Sequence, residues 1–410
     1  MNWSRPASII SRRWKGPWGL KHTLQAVALA LSLVLAFSVF MVRDRRKILD
    51  RSNGCPFSAI FNFGDSNSDT GSKSAAFHRL PYPNGYSFFN KPSGRYCDGR
   101  DIIDFIAEKL ELPYLDAYLD SIGTNFQHGA NFAIGGSTIQ PVDGRIFEGG
   151  FSPISLDIQL LQFEQFKERT LELYNESRSS YIMSRLPRPE DFSKALYTLD
   201  IGQNDLHAWI KSMTEKQMLE SIPSIITQFA HAVEKLYQLG ARIFWIHNTG
   251  PIGCLPYDVI YYPPKPGDKG QNGCVKSHNE IAQEFNRQLK DKVSQLRKQL
   301  PDAVLTCTDI YTAKYSLISE AKKQGFADPL GYCCGYYGDY RVPCGKNSMV
   351  NGTEISGDPC SNPELYISWD GIHYSQAANQ IIANRILDGF LSDPATPIIE
   401  ACHKPVPLSK

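Results

Sequence analysis

Two short stretches near opposite ends of this 410-residue chain hold the residue types that a nucleophilic centre needs. The first is Ile60-Phe61-Asn62-Phe63-Gly64-Asp65-Ser66-Asn67-Ser68-Asp69-Thr70-Gly71. An apolar, strand-like run leads straight into Gly-Asp-Ser, so Ser66 emerges at a strand's carboxyl end, where ligands collect in open α/β sheets. Gly64 is placed to permit the sharp turn that follows. The second is Trp369-Asp370-Gly371-Ile372-His373. A histidine acting as general base needs its other ring nitrogen held by an acceptor. Asp370, three residues earlier on one tight turn, supplies that acceptor, with Gly371 letting the chain double back. Taken singly, Gly-Asp-Ser is only a turn signal, and Asp and His meet by chance in many loops.

Two further patches give the pair a chemical context. Asn131-Phe132-Ala133-Ile134-Gly135-Gly136-Ser137 offers glycine amides at the end of another apolar segment. Leu199-Asp200-Ile201-Gly202-Gln203-Asn204-Asp205 offers an Asn side chain just past a strand. Acyl transfer needs donors aimed at the developing oxyanion, each contributing ~10²–10³ in rate. A backbone amide and an Asn amide are such donors.

In this order the four patches resemble the sequence blocks of the SGNH branch of hydrolases, in its plant GDSL esterase/lipase form. The resemblance runs from about residue 55 to 391 and includes Asn248-Thr249-Gly250-Pro251-Ile252-Gly253-Cys254-Leu255-Pro256. It implies a flavodoxin-like three-layer α/β/α fold around a central, mostly parallel sheet. It implies Ser66 as nucleophile, with Asp370 and His373 completing a triad. It implies an oxyanion hole made by the Ser66 and Gly136 amides and the Asn204 side chain, Gly136 rather than Gly135 being a matter of register. The implied reaction is carboxylic ester hydrolysis through an acyl-enzyme, with no metal or organic cofactor. Asn67 stands where the family name has Leu, which leaves the nucleophile untouched.

The elements that must position these residues follow from periodicity. Short apolar runs alternate with amphipathic stretches, the pattern of a doubly wound α/β sheet. Strands are predicted over Ser58–Phe63, Lys194–Asp200, Ala241–Asn248 and Ala303–Thr308, each closing on Gly, Asn or Asp. Helices are predicted over Asp101–Lys109, Ile154–Leu173, Gln217–Leu239, Val275–Leu300 and Ser375–Leu391, with Ser375 as an N-cap. Pro263–Gly273 and Tyr332–Pro363 read as surface loops stapled by cysteines. His247, His128, His207, Asp205, Trp369 and Trp209 read as structural, with the loop histidines and tryptophans also able to line a cleft.

Composition excludes some partners. Lys+Arg number 43 and Asp+Glu 42, so no broad basic surface suits a nucleic acid. The ten cysteines all lie beyond residue 54. They lack metal-site spacing and read as disulfides of an oxidising compartment, with Cys254 and Cys274 placed to close one loop. Ahead of them, Leu24–Val42 is apolar apart from Gln25, Ser32 and Ser38. As a helix it would span roughly 28 Å, about one bilayer core. The expected organisation is a cytosolic tail (1–23), a transmembrane signal anchor (24–42), a short stem (43–54), a lumenal domain (55–402) and a tail (403–410). Sequons at Asn175 and Asn351 agree with a lumenal domain, in a type II Golgi membrane protein that is monomeric. Cleavage at Ala36-Phe37-Ser38, giving a secreted protein, is the alternative. An anchored lumenal esterase meets nascent glycans first, and the chain resembles Golgi-anchored family members that deacetylate xylan-type polysaccharide. An O-acetyl ester on such a polymer is therefore the expected substrate, with lipid or small phenolic esters left open. A polysaccharide O-acetyltransferase and a non-catalytic glycan binder are rival readings. The Asn-Phe-Ala-Ile-Gly-Gly and Gly-Gln-Asn-Asp blocks argue against the first, and the complete set of catalytic residue types argues against the second.

Overall fold

The computed structural model describes residues 54–141, 150–176, 179–210 and 213–404, together with Gln25, Val27 and Leu29. Those three residues are helical, but the rest of the predicted 24–42 span, the adjoining tail and most of the stem lie outside the described residues. Among the described residues no helix is long and apolar enough to cross a membrane. The chain divides into two units, Met1–Gly54 and Cys55–Lys410, and the second carries all the structure considered below.

Its centre is a six-stranded sheet made of β1 (Ile60–Gly64), β2 (Gly129–Asn131), β3 (Leu196–Asp200), β4 (Ile243–His247), β5 (Val304–Thr308) and β6 (Ser392–Asp393). The order is β6-β5-β4-β3-β1-β2, parallel throughout except that β6 runs antiparallel to β5. The parallel part has the flavodoxin-like order 2-1-3-4-5, whose switch point lies between β1 and β3. Sequence IFNFG in β1 and IFWIH in β4 is buried at every position. A parallel strand covered on both faces needs a continuous apolar run of this kind rather than an alternating one. Phe61 stacks on Phe192 at 5.2 Å and meets Phe163 edge-on at the same centroid distance.

The longer helices are α1 (Ile102–Lys109), α2 (Leu156–Glu176), α3 (Gln203–Ile210), α4 (Glu215–Gln238), α5 (Lys276–Gln299), α6 (Ile310–Ser319) and α7 (Gln376–Leu387). They form two packed groups: α4 contacts α2, α3 and α5, while α7 contacts α1 and α6. Ser375 caps α7, its hydroxyl accepting from Ala378 N–H. That helix stops at Leu387 rather than the predicted Leu391, because Gly389 takes φ +88° and turns the chain into β6.

Eight of the ten cysteines pair, as Cys55–Cys402, Cys254–Cys274, Cys333–Cys360 and Cys334–Cys344. The expectation of disulfides fails for Cys97 and Cys307, which are buried thiols. The stretch predicted as loop over Tyr332–Pro363 holds two short hairpins. One turns at Asn351-Gly352, with φ of +49° and +81°, values that such a tight turn requires. Asn351 is exposed on that turn, and Asn175 is exposed near the end of α2. Ser177 of its sequon lies outside the described residues.

Candidate active site

The loop after β1 is built around hydrogen bonds to the strands beside it. Asn62 of β1 lies level with Asn131 of β2 and Thr198 of β3. Its amide donates to Asn131 Oδ1 at 2.7 Å and to Ser68 Oγ at 3.0 Å, while Thr198 donates to its Oδ1 at 2.6 Å. This buried polar rung ties the serine loop to both neighbouring strands. Buried polar groups satisfied in this way fix one arrangement, since any other leaves them unpaired. Gly64 is needed for space: a Cβ there would lie 2.5 Å from Asp200 O and 2.6 Å from Ser68 Oγ. Gln159 of α2 clamps the same residue, accepting from Gly64 N–H at 3.0 Å and donating to Gly64 O at 2.8 Å.

Ser66 then meets His373 across 307 positions of sequence, Oγ to Nε2 at 2.8 Å. His373 Nδ1 lies 2.7 Å from Asp370 Oδ2. Asp370 Oδ1 also accepts from the N–H groups of Ile372 and His373, at 3.1 and 2.8 Å. Gly371 between them has φ +84°, the left-handed value that lets the loop close. Burial pushes the Asp370 carboxyl up, but His373 and these two amides outweigh it, so it sits below the usual carboxylate range. The carboxylate therefore stays ionised and holds the imidazole with Nε2 facing the serine.

The possible oxyanion donors gather in the same cleft, whose volume is about 390 Å³. Gly135 N–H donates to Asp69 Oδ2 at 2.8 Å. The N–H groups of Ser66 and Gly136 have no acceptor among the described residues. Gly136 takes φ +84°, and a Cβ on it would lie 2.3 Å from Gly150 O. Asn204, at the start of α3, uses one amide hydrogen on Ser137 O at 2.8 Å and keeps the other. The five predicted residues, Ser66, Gly136, Asn204, Asp370 and His373, are thus brought to one place from four separate loops.

Some residues that shape this site went unassigned in the sequence. Asp69 accepts from Gly71, Ser72, Lys73 and Gly135 N–H, which pins the serine loop to the glycine loop. Lys73 is buried, and its ammonium donates to Gly135 O at 3.1 Å. That carbonyl belongs to the peptide unit whose N–H is Gly136's. A cation on the oxygen draws charge through the peptide and leaves the N–H a stronger donor. Tyr96 lies over the site, its ring 4.8 Å from that of His373. The signal for Asp69 was present: an Asp followed by Thr-Gly can turn the chain back onto its own carboxylate.

The residues read as structural are placed as follows. Asp205 accepts from Ile139 and Gln140 N–H and so holds the loop beyond Gly136. His128 Nδ1 contacts Ser58 O, and His247 in β4 lies 3.2 Å from Asp200. Trp369 is buried, with its indole N–H on Asn84. His207 lines the cleft and faces Asp258 at 3.7 Å. The Trp209 side chain lies outside the described residues.

Comparison with known proteins identifies the family. The model of the GDSL-like lipase/acylhydrolase family matches residues 60–386. A GDSL esterase/lipase of Arabidopsis thaliana is 54% identical over 352 residues, covering 85% of this chain and 90% of its own. One from Zea mays is 49% identical, covering 85% of this chain and 90% of its own. An esterase of Hevea brasiliensis is 49% identical, with 86% of this chain and 91% of its own covered. The chain belongs to the GDSL-like lipase/acylhydrolase family, and it is a carboxylic ester hydrolase.

Proposed function

We propose that Ser66 is the nucleophile of this hydrolase, that His373 is its general base, and that Asp370 holds the imidazole. The observation that carries the proposal is the unbroken chain Ser66 Oγ–His373–Asp370, at 2.8 and 2.7 Å, beside two amides with no acceptor among the described residues. His373 Nε2 takes the hydroxyl proton as Oγ adds to the ester carbonyl. The oxyanion rests on the Ser66 and Gly136 N–H groups and the free Asn204 amide hydrogen. His373 then gives the proton to the departing alkoxide, leaving an acyl-serine. Water, deprotonated by the same imidazole, hydrolyses that ester and restores the serine.

The substrate we propose is an O-acetyl ester on a cell-wall polysaccharide such as xylan, met within the secretory pathway. Support comes from the four disulfides of an oxidising compartment, the exposed Asn175 and Asn351 of the sequons, and the apolar 24–42 run. That run would anchor the protein in the Golgi membrane in type II orientation, with 55–402 in the lumen. The test is acetate release by the full-length protein from acetylated xylan and from p-nitrophenyl acetate, wild type beside Ser66→Ala. The variant should lose roughly 10⁴-fold or more in kcat on both while melting like the wild type. Turnover retained in Ser66→Ala would sink the mechanism, and activity confined to the small ester would sink the substrate.

A further inference from the structure

The chain as a whole is almost balanced in charge, with 43 basic and 42 acidic side chains. The cleft is not. Its described lining holds Lys73, Arg341 and Lys346 along with imidazoles, and no Asp or Glu, the nearby carboxylates lying behind that surface: Asp370 behind His373, Asp258 behind His207 and Asp69 beside Lys73. A concave site lined by one sign of charge concentrates the opposite sign. Lys73 is committed to Gly135 O. Arg341 and Lys346 form no ion pair with a described carboxylate, although both are on the same stapled segment and face the cleft.

Arg341, exposed at the surface, lies over aromatic rings, and the Asp370 charge behind them acts on it. Its guanidinium carbon lies 5.2 Å from the Tyr257 ring and 5.7 Å from that of Tyr337, whose hydroxyl donates to Asp370 O. A planar guanidinium suits a planar carboxylate better than it suits a neutral hydroxyl. Pro81, which lines the cleft, leads directly into an exposed aromatic pair. Tyr82 and Tyr86 meet edge-to-face at 4.9 Å and are 54% and 48% exposed. The Tyr82 carbonyl packs so closely on Gly345 that a Cβ there would lie 2.0 Å from it, which brings the Tyr82 backbone against the residue preceding Lys346. Exposed tyrosine faces suit the apolar face of a sugar ring, with the hydroxyl left for water or a sugar oxygen.

We infer that the cleft is a subsite for an anionic sugar: the ester it takes is an O-acetyl group on, or next to, a uronate unit whose carboxylate is bound by Arg341 and Lys346. The inference deepens the esterase reading above and rests on it. The carboxylate takes no part in bond making; it orients the sugar while Ser66 attacks the acetyl carbonyl.

The test measures acetate release by the full-length protein from O-acetylated oligogalacturonides and from the same oligomers after methyl esterification of their carboxyl groups. The two differ in charge and keep the same acetyl groups. Wild-type kcat/KM should be about tenfold higher for the charged form, the size of one good charge-assisted contact. The ratio should shrink as salt is raised. In the double variant Arg341→Gln/Lys346→Gln it should fall close to one. A wild-type ratio near one would overturn the inference while leaving the esterase in place. So would faster release of fatty acid from phosphatidylglycerol vesicles than of acetate from either oligomer. Loss of hydrolysis of every ester tested, p-nitrophenyl acetate included, would instead overturn the esterase reading itself.

Discussion

At the scale of single residues, the catalytic roles divide between groups that would touch the substrate and groups that hold them. Lys73 belongs to the second kind, since its ammonium meets Gly135 O and not the cleft's reacting atoms. Lys73→Met should therefore lower kcat by roughly tenfold, less than the ~10²–10³ of a deleted oxyanion donor, because the Gly136 N–H remains. KM should hardly move, because the bound ester in its ground state gains little from a stronger donor. Lys73→Arg, which keeps the cation, should recover part of kcat. Equal kcat in wild type and Lys73→Met, with both melting alike, would remove Lys73 from the machinery. Asn204→Ala gives the direct comparison: loss of the side-chain donor should reduce kcat by ~10²-fold, again with KM little changed. If its kcat stayed within a factor of two, Asn204 would be only the tether of the Ser137 carbonyl that it also binds. The Asp370–His373 contact was legible in the sequence because it is local, the two being three apart on one turn. Lys73 was not, because its importance lies in which carbonyl it reaches 62 positions away.

At the scale of elements, the buried parallel strands were legible and the edges were not. β1 and β4 announce themselves by apolar runs that only a doubly covered sheet needs. β2 reads Gly-Ala-Asn and β6 reads Ser-Asp, so neither has a pattern of its own. Each is a strand because a neighbour offers it a ladder. The hairpins between Tyr336 and Ser356 were likewise hidden, and they bear on the site. Cys333 and Cys334 N–H both donate to Trp369 O, next to Asp370, and the bridges Cys333–Cys360 and Cys334–Cys344 hold that contact. Removing Cys333–Cys360 as a Cys333→Ser/Cys360→Ser pair frees a span of 27 residues. Loop-closure entropy for such a span is worth about 3.5 kcal/mol. Because the span is local to the Asp370 loop, esterase activity should fail at lower urea than the far-UV circular dichroism of the sheet. Activity and dichroism lost together at the wild-type midpoint would show that the bridge stabilises no part of the catalytic loop.

At the scale of the whole molecule, the carboxyl ends of β1 and β3 bury more charge than the reaction uses. Asp65 precedes the serine and is buried beside Asp200 of β3, which pairs with His247 of β4 and faces Lys314 of α6. Burial, then the Asp200 charge, push the Asp65 carboxyl up to about 7, and burial does the same to Asp205, also to about 7. The unfolded chain would release these protons near 3.8. Between about pH 4 and pH 7 the folded protein therefore holds protons at these two groups that the unfolded chain has lost, so their contribution to stability falls as pH rises through that window. Asp65 can be relieved of this cost without loss of a contact. Its Oδ1 accepts from Asn67 N–H and Nδ2, while its Oδ2 has no partner, so an amide group fits with oxygen on the first position and nitrogen on the second. Asp65→Asn should match the wild type in thermal stability near pH 4 and exceed it near pH 7.5, by on the order of 1 kcal/mol or more. Asp205 and the raised Asp101 would leave a residual slope of the same sign. Melting temperatures taken across pH 4–8 decide the matter: parallel curves for wild type and Asp65→Asn would mean that Asp65 titrates alike in both states. Its burial beside Asp200 would then be balanced by Lys314 and His247, and the cluster behind the serine would contribute nothing to the protein's preference for acid.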